Sequence, residues 1–308
     1  MIKLWKQQNG LQEIQEFEKN CWMEVTNPTS DEKEKLLTEY RVPEDFMQDI
    51  LDIDERSRVE IEGRWFLIIM RIPVYLPEEN IPYSTMPLGI LISPQIIITI
   101  SLYENDIINT KVFRRLKRFN IENRHNFVLF LLLRSANYYL NYLKSINRQT
   151  TAIEMELQKS TRNAELTHLL NYEKSLVFFI TSLKSNELLI TKLQKTKAGK
   201  SEEIDEDLLE DVIIEIRQAS EMARIHSDIL AGMMNAFASV ISNNLNVVMK
   251  RLTTITIILM IPTLISSMFG MNLPNFMENN SFAFIGVFLT SILLTGISVV
   301  FFRWRKWF

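Results

Sequence analysis

Residues 252–269 read LTTITIILMIPTLISSMF, and residues 282–302 read FAFIGVFLTSILLTGISVVFF. Neither run carries a charge, and each is close to the roughly 20 residues that a helix needs to cross a hydrocarbon core of about 30 Å. Between Leu252 and Phe302 the only ionisable side chain is Glu278. An equally greasy stretch upstream, Phe127–Leu133, stops at Arg134; too short to span, it predicts buried core. The chain therefore divides into a charged body and a membrane region of two C-terminal spans, about 252–269 and 282–302, joined by a short loop, 270–281.

Basic residues orient the spans. Lys250 and Arg251 precede the first, Arg303, Arg305 and Lys306 follow the second, and the loop has neither Lys nor Arg. Positive charge stays on the cytoplasmic side, so a multi-pass protein of the plasma membrane is expected, both termini cytoplasmic and the loop outside. Trp304 and Trp307 stand where an aromatic belt anchors a helix at the interface.

The rest of the composition removes whole classes of function. A formal net charge of −3 over 308 residues gives no basic face for nucleic acid. One cysteine, Cys21, allows no intrachain disulfide and no thiol metal cluster. Three widely separated histidines, His125, His168 and His226, do not make a His-rich zinc centre. The first residues, Met1 to Lys6, lack the basic-then-apolar pattern of a signal peptide. Gly199-Lys200-Ser201 imitates the end of a phosphate-binding loop, but Gln194 stands where that loop needs its first glycine, so a helix–helix turn is expected there and no nucleotide. No HExxH, GxGxxG or GxSxG motif occurs, so the sequence does not describe an enzyme.

Residues 1–120 read as a cytoplasmic α/β domain. Thr29-Ser30-Asp31-Glu32 predicts a helix start with Ser30 as N-cap and Leu36, Leu37 and Tyr40 on one face. Arg58–Glu62, Gly63 and Trp65–Ile72 predict one hairpin; Leu88–Ile92, Ser93-Pro94 and Gln95–Ser101 predict another, with Pro77–Pro87 as a loop. From about Asp106 proline vanishes until Pro262 and Gly199 marks the one clear break, so residues 121–251 predict a helical hairpin and a stalk helix. That last helix runs from Glu202 to Met268 with only Gly232 and Pro262 against it, roughly 100 Å at 1.5 Å per residue. A helix of that length needs neighbours. The fold class is α+β for the cytoplasmic part and all-α for residues 252–308.

The first span has a polar stripe. Asn246, Thr253, Met260 and Ser267 recur every seven residues, with Met249, Thr256 and Thr263 between them, the spacing of a helix wound about a supercoil axis. Ile255, Ile258, Leu259, Ile261 and Leu264 form an aliphatic face suited to lipid or to the second span. The stripe serves either helix packing or a pore, and two spans cannot enclose a pore without further copies. Met249 and Leu252 near the cytoplasmic entrance and Met260 midway are candidate rings for a hydrophobic gate.

After the stripe come Gly270-Met271-Asn272, then Leu273-Pro274-Asn275. Local rules make Gly270 a helix cap and Asn272 a turn residue. The tripeptide, its place at the outer end of the first of two C-terminal spans, and the basic end of the chain resemble the CorA family of magnesium channels. Ala231–Met234, Ser242–Lys250 and Met260 with Pro262-Thr263 are similar to that family's stalk-to-pore segment, although here Ile261 separates the methionine from the proline. Gln48–Leu51 and Arg58-Val59-Glu60 are similar to its pre-hairpin segment, with Gln48 where the family has an acid. The resemblance implies a homopentamer with a funnel-shaped cytoplasmic domain and a pore lined by the first spans, with Asn246, Met249, Leu252, Thr253, Thr256, Met260, Thr263 and Ser267 along it. Gly270, Met271 and Asn272 would form the selectivity filter, Asn272 holding a hydrated ion. Mg2+ would be both cargo and regulator, the latter through Asp49 and Asp211 between adjacent subunits. The partners implied are other copies, divalent cations and lipid. A Zn2+ or broad divalent transporter and a two-span anchored scaffold or sensor are the alternative readings.

Overall fold

The computed structural model describes residues 1–8, 10–108, 113, 121–159, 163–195, 204–271, 282–305 and 307. It forms two compact units, 1–233 and 234–308.

In the first unit, strands β1 (Ile2–Gln7), β2 (Leu11–Ile14), β3 (Cys21–Thr26), β4 (Arg58–Glu62), β5 (Trp65–Tyr75), β6 (Tyr83–Ile92) and β7 (Ile96–Ser101) make a sheet ordered β2-β1-β3-β7-β6-β5-β4. Among the described strands only β3 and β7 pair in parallel, Met23 opposite Ile98; the other neighbours are antiparallel. Both hairpins read from the sequence are present, and Gly63 turns the first with φ +56°, a conformation that suits a residue without Cβ. The expected loop at Pro77–Pro87 is shorter than read. Strand β6 begins at Tyr83, and Pro87 lies opposite Arg71 within the ladder. Strands β1 and β2 had no sequence reading, since their alternation is broken by charge.

Helices α1 (Ser30–Thr38) and α2 (Glu44–Leu51) cover one face of the sheet, burying Leu36, Phe46 and Ile50 against Met23, Leu67, Ile69 and Ile98. The cap of α1 is Thr29 rather than Ser30: its hydroxyl accepts from Glu32 N while the Glu32 carboxylate accepts from Thr29 N at 2.9 Å. That reciprocal pair satisfies two amides that the helix start would otherwise leave open.

Helices α3 (Arg124–Lys159) and α4 (Asn163–Lys195) follow, and the next described helix begins at Glu206, beyond the turn expected at Gly199. Gly199 itself lies outside the described residues. Phe127, Val128, Leu129, Leu131 and Leu132 are buried, as their run predicts. Where β4 ends, the exposed backbone of β5 is closed by a side chain. Asn186 of α4 accepts from Arg71 N at 2.9 Å and donates to Arg71 O at 2.7 Å, standing in for a missing strand. Helix α5 (Glu206–Phe269) is continuous for 64 residues and contributes to both units. Asp205 caps its start by accepting from Leu208 N at 3.0 Å.

The second unit holds the remainder of α5 and helix α6 (Ala283–Trp304). In each of the two apolar 18-residue windows only 6% of positions are buried. A helical hairpin inside a soluble core would have most of them covered, so these two helices are candidate membrane spans.

Candidate functional site

Within the second unit, burial is confined to one side of each span. On α5 the covered positions are Thr254, Ile258, Ile261, Pro262 and Ile265; on α6 they are Val287, Ser291, Thr295, Ser298 and Phe302. Pro262 and Ser266 also bound, with Phe284, Phe288, Ser291 and Val299, one cavity between the two helices. Steps of three and four place each set on a single face. The aliphatic face expected on α5 is therefore divided: Ile258 and Ile261 turn toward the second span, whereas Ile255, Leu259 and Leu264 stay exposed.

The polar stripe is on the other side. Asn246, Met249, Leu252, Thr253, Thr256, Met260, Thr263 and Ser267 are all exposed. At 3.6 residues per turn their mean direction lies roughly opposite the face that meets α6. The stripe does not serve the packing of the two spans of one chain, which removes half of the packing explanation that spacing alone left open.

The hydroxyls on the stripe have a fixed polarity. Thr253 Oγ1 donates to Met249 O at 2.8 Å, Thr256 Oγ1 to Leu252 O at 2.9 Å, and Thr263 Oγ1 to Leu259 O at 2.9 Å. Each proton is used inside the helix, as is common for threonine at such positions. What faces outward is oxygen lone pairs, which accept and do not donate. A row of acceptors at helical spacing suits a ligand that presents only donors, and the water shell of a small divalent cation is such a ligand.

Helix α5 ends at Gly270, whose amide donates to Ser266 O at 2.9 Å. Gly270 takes the cap position that local rules give it without a left-handed backbone, since the described glycines with positive φ are Gly10 and Gly63. A Cβ at Gly270 would meet only the carbonyls of its own last helical turn, Ser266 O at 3.2 Å and Ser267 O at 3.8 Å. Met271 is exposed, and Asn272, with the rest of the expected filter loop, lies outside the described residues.

The two carboxylates expected to sense Mg2+ both belong to the first unit. Asp49, on α2, is half-buried and ion-paired through Oδ2 to Arg58 Nη2; the same guanidinium reaches Glu55 at 2.9 Å and Glu60 at 3.4 Å. Arg58 was read from the sequence only as part of a similar segment, and nothing in a spacing of nine residues announces the pair. Asp211 is exposed on α5. Among the described residues of one chain, no three His, Cys, Asp or Glu side chains converge to hold a metal ion.

A family model described as CorA-like Mg2+ transporter protein matches residues 17–305. The cobalt/magnesium transport protein CorA of Methanocaldococcus jannaschii is 27% identical over 297 residues, covering 93% of this chain and 90% of that protein. The magnesium transport protein CorA of Helicobacter pylori is 24% identical over 300 residues, again with 93% and 90% covered. Among solved structures, the complete CorA magnesium transporter of Methanocaldococcus jannaschii matches with a TM-score of 0.83 at 24% identity, covering 100% of this chain and 99% of that one. At that identity the likeness establishes the fold.

Proposed function

The chain belongs to the CorA-like Mg2+ transporter family, a family of transporters rather than enzymes, and from that premise we propose that it forms a passive Mg2+ uptake channel in the plasma membrane. The channel is a homopentamer with both termini in the cytoplasm, its pore lined by α5 of each copy. The observation that carries this reading is the exposed stripe of acceptor oxygens on the side of α5 turned away from α6. The second span does not cover that side, and acceptor oxygens gain nothing from lipid, so other copies or a water-filled path suit it best.

Mg2+ loses its water slowly and prefers six oxygens in octahedral array. Threonine and asparagine oxygens accept from first-shell water without stripping it, and a ring of Asn272 amides at the outer mouth selects the hydrated ion. A carboxylate ring would hold it too tightly for conduction, which requires weak sites. The membrane potential supplies roughly 2.3 kcal/mol per charge per 100 mV, hence about 4.6 kcal/mol for a divalent ion entering the cell. Met249, Leu252 and Met260 interrupt the oxygens with apolar rings that close the path by dewetting.

Regulation by intracellular Mg2+ runs through Asp49 and Asp211 of neighbouring copies. Asp49 already carries a tethered cation, Arg58, so an arriving ion competes with the guanidinium for Oδ2 or takes the remaining oxygen. Closure is then a population shift toward the state in which the ion bridges two chains.

Uptake into proteoliposomes under an inside-negative potential tests the reading, with Mg2+, Co2+ and Zn2+ in parallel arms and empty liposomes as the control. Mg2+ flux above the control supports it; Zn2+ flux alone selects the zinc alternative; no flux of any ion selects the scaffold. A monomer by native mass spectrometry in mild detergent removes the pore.

A further inference from the structure

Strands β3 and β7 run in parallel and end side by side, at Thr26 and Ser101. In sheets with parallel strands the carboxyl ends are where ligands gather, because the chain leaves in loops there. Here that end opens into a cavity of about 770 Å³, within the range of small-molecule sites.

The lining has a definite character. Three tyrosines, Tyr75, Tyr103 and Tyr142, border it. Tyr75 and Tyr142 both pack, tilted, against Tyr83 behind the lining, with ring centroids 5.0 and 5.4 Å apart. Three carboxylates, Glu24, Glu104 and Asp106, border it as well. Glu24 is fixed in place, its Oε2 accepting from Trp5 Nε1 at 2.9 Å. Burial raises its pKa first of all, with Glu13 and Glu104 adding to the rise. The lining cations are Lys3, which acts on Glu24, and the Met1 ammonium, which is already bonded to Thr26 O and Glu32; outside the lining, Arg134 acts on Asp106.

Carboxylates in excess over cations disfavour an anion. A bare divalent ion is disfavoured too, since it needs several oxygens converging at one point and no such trio exists among the described residues. Aromatic faces beside separated carboxylates reward a ligand that is both cationic and carbon-bearing, through ring-face attraction added to charge. We propose that this cavity binds an organic oligoamine, one ammonium against Glu24 and another between Glu104 and Asp106, its methylene chain along the tyrosines. The proposal does not depend on the transport reading.

The test is equilibrium dialysis of the full-length protein in detergent against radiolabelled spermidine, at an ionic strength of about 0.15 M. Saturable binding of one molecule per chain is expected. The double variant Glu104→Gln, Asp106→Asn should weaken it about tenfold, a change of about 1.4 kcal/mol. Tyr103→Ala should weaken it about two- to fivefold and Tyr103→Phe should preserve it, since the ring face and not the hydroxyl is used. These positions are exposed, and the circular dichroism of each variant confirms the fold. Absence of saturable binding, unchanged binding by the folded double variant, or full displacement by Mg2+ at matched ionic strength would overturn the proposal.

Discussion

Strands β5 to β7 and the two spans are comparably apolar, yet they end in opposite states. Nearly every residue of Trp65–Val74 and Ile96–Ser101 is buried within the chain, whereas the spans leave almost all of theirs uncovered. The difference lies in what the chain supplies as partners. Around the sheet it provides α1 to α4, with Phe46 and Ile50 on one face and Tyr139 and Phe179 among the aromatic contacts on the other. For the spans it provides one helix each, and that covers one face in roughly four. Hydrophobicity marks both regions equally; the continuous length without charge, set against the dimensions of a bilayer, tells them apart. The remaining faces of the spans are assigned to lipid and to further copies of α5 and α6.

The strongest way to break this comparison is at the end of the exposed stripe. If the uncovered face of α5 lines a path, Asn272→Ala should reduce Mg2+ uptake in proteoliposomes to the level of empty vesicles, while native mass spectrometry shows the same number of subunits. Full flux through an assembled variant would return the stripe to helix packing.

Next in size is a paired truncation. Ile98 is fully buried at the centre of the sheet, so Ile98→Ala should cost about 2–5 kcal/mol in the first unit. Leu259 is mostly exposed on α5, and a side chain that exchanges one apolar solvent for another loses little, so Leu259→Ala should change stability by less than about 1 kcal/mol. Chemical denaturation in detergent micelles measures both. Equal costs would mean that Leu259 meets protein, and would place a subunit boundary there.

Two glycines sharpen the same contrast. A Cβ at Gly89 of β6 would fall 2.5–2.7 Å from three carbons of Ile50, so Gly89→Ala should overpack α2 on the sheet at a cost of about 1–3 kcal/mol. At Gly296 of α6 a Cβ would meet nothing within 4 Å. Gly296→Ala should therefore leave both stability and assembly unchanged if lipid is the neighbour. Dissociation of the oligomer by that small change would instead show a neighbouring helix seated against Gly296.

Much of this arrangement was legible before any coordinate. The spans, both hairpins and the buried run at Phe127 follow from patterns that are local in the chain. What was not legible depends on contacts between distant residues. Asn186 closes β5 across 115 positions, Arg58 occupies Asp49, and β1 joins the sheet by pairing with β3, and β2 by pairing with β1, rather than through their own alternation. The stripe was visible as a period, but its direction relative to α6 was not, because a period fixes which residues share a face and leaves open what that face meets.

The smallest effect expected is a pH dependence in the part of α5 that belongs to the first unit. His226 is half-buried with Nε2 lacking a hydrogen-bond partner, beside a small cavity lined by Ile146, Asn147 and Thr150 of α3, Leu176 of α4, and Ile229, Leu230 and Met233 of α5. None of those neighbours titrates, and burial alone lowers the imidazole's pKa from its ordinary value of 6.5. The unfolded chain therefore takes up the proton at a higher pH than the folded one. Stability from this group is complete above 6.5 and is lost as pH falls through the lowered folded value. Lowering the pH from 7.5 to about 5.5 should loosen the docking of α5 on α3 and α4. Hydrogen exchange at the amides of Ala219–Leu230, corrected for its intrinsic pH dependence, should then accelerate by a few-fold in the wild-type chain. The acceleration should be absent in His226→Leu, which fills the same space without a proton to gain. An identical acceleration in both proteins would assign the effect to carboxylates elsewhere and leave His226 as ordinary packing.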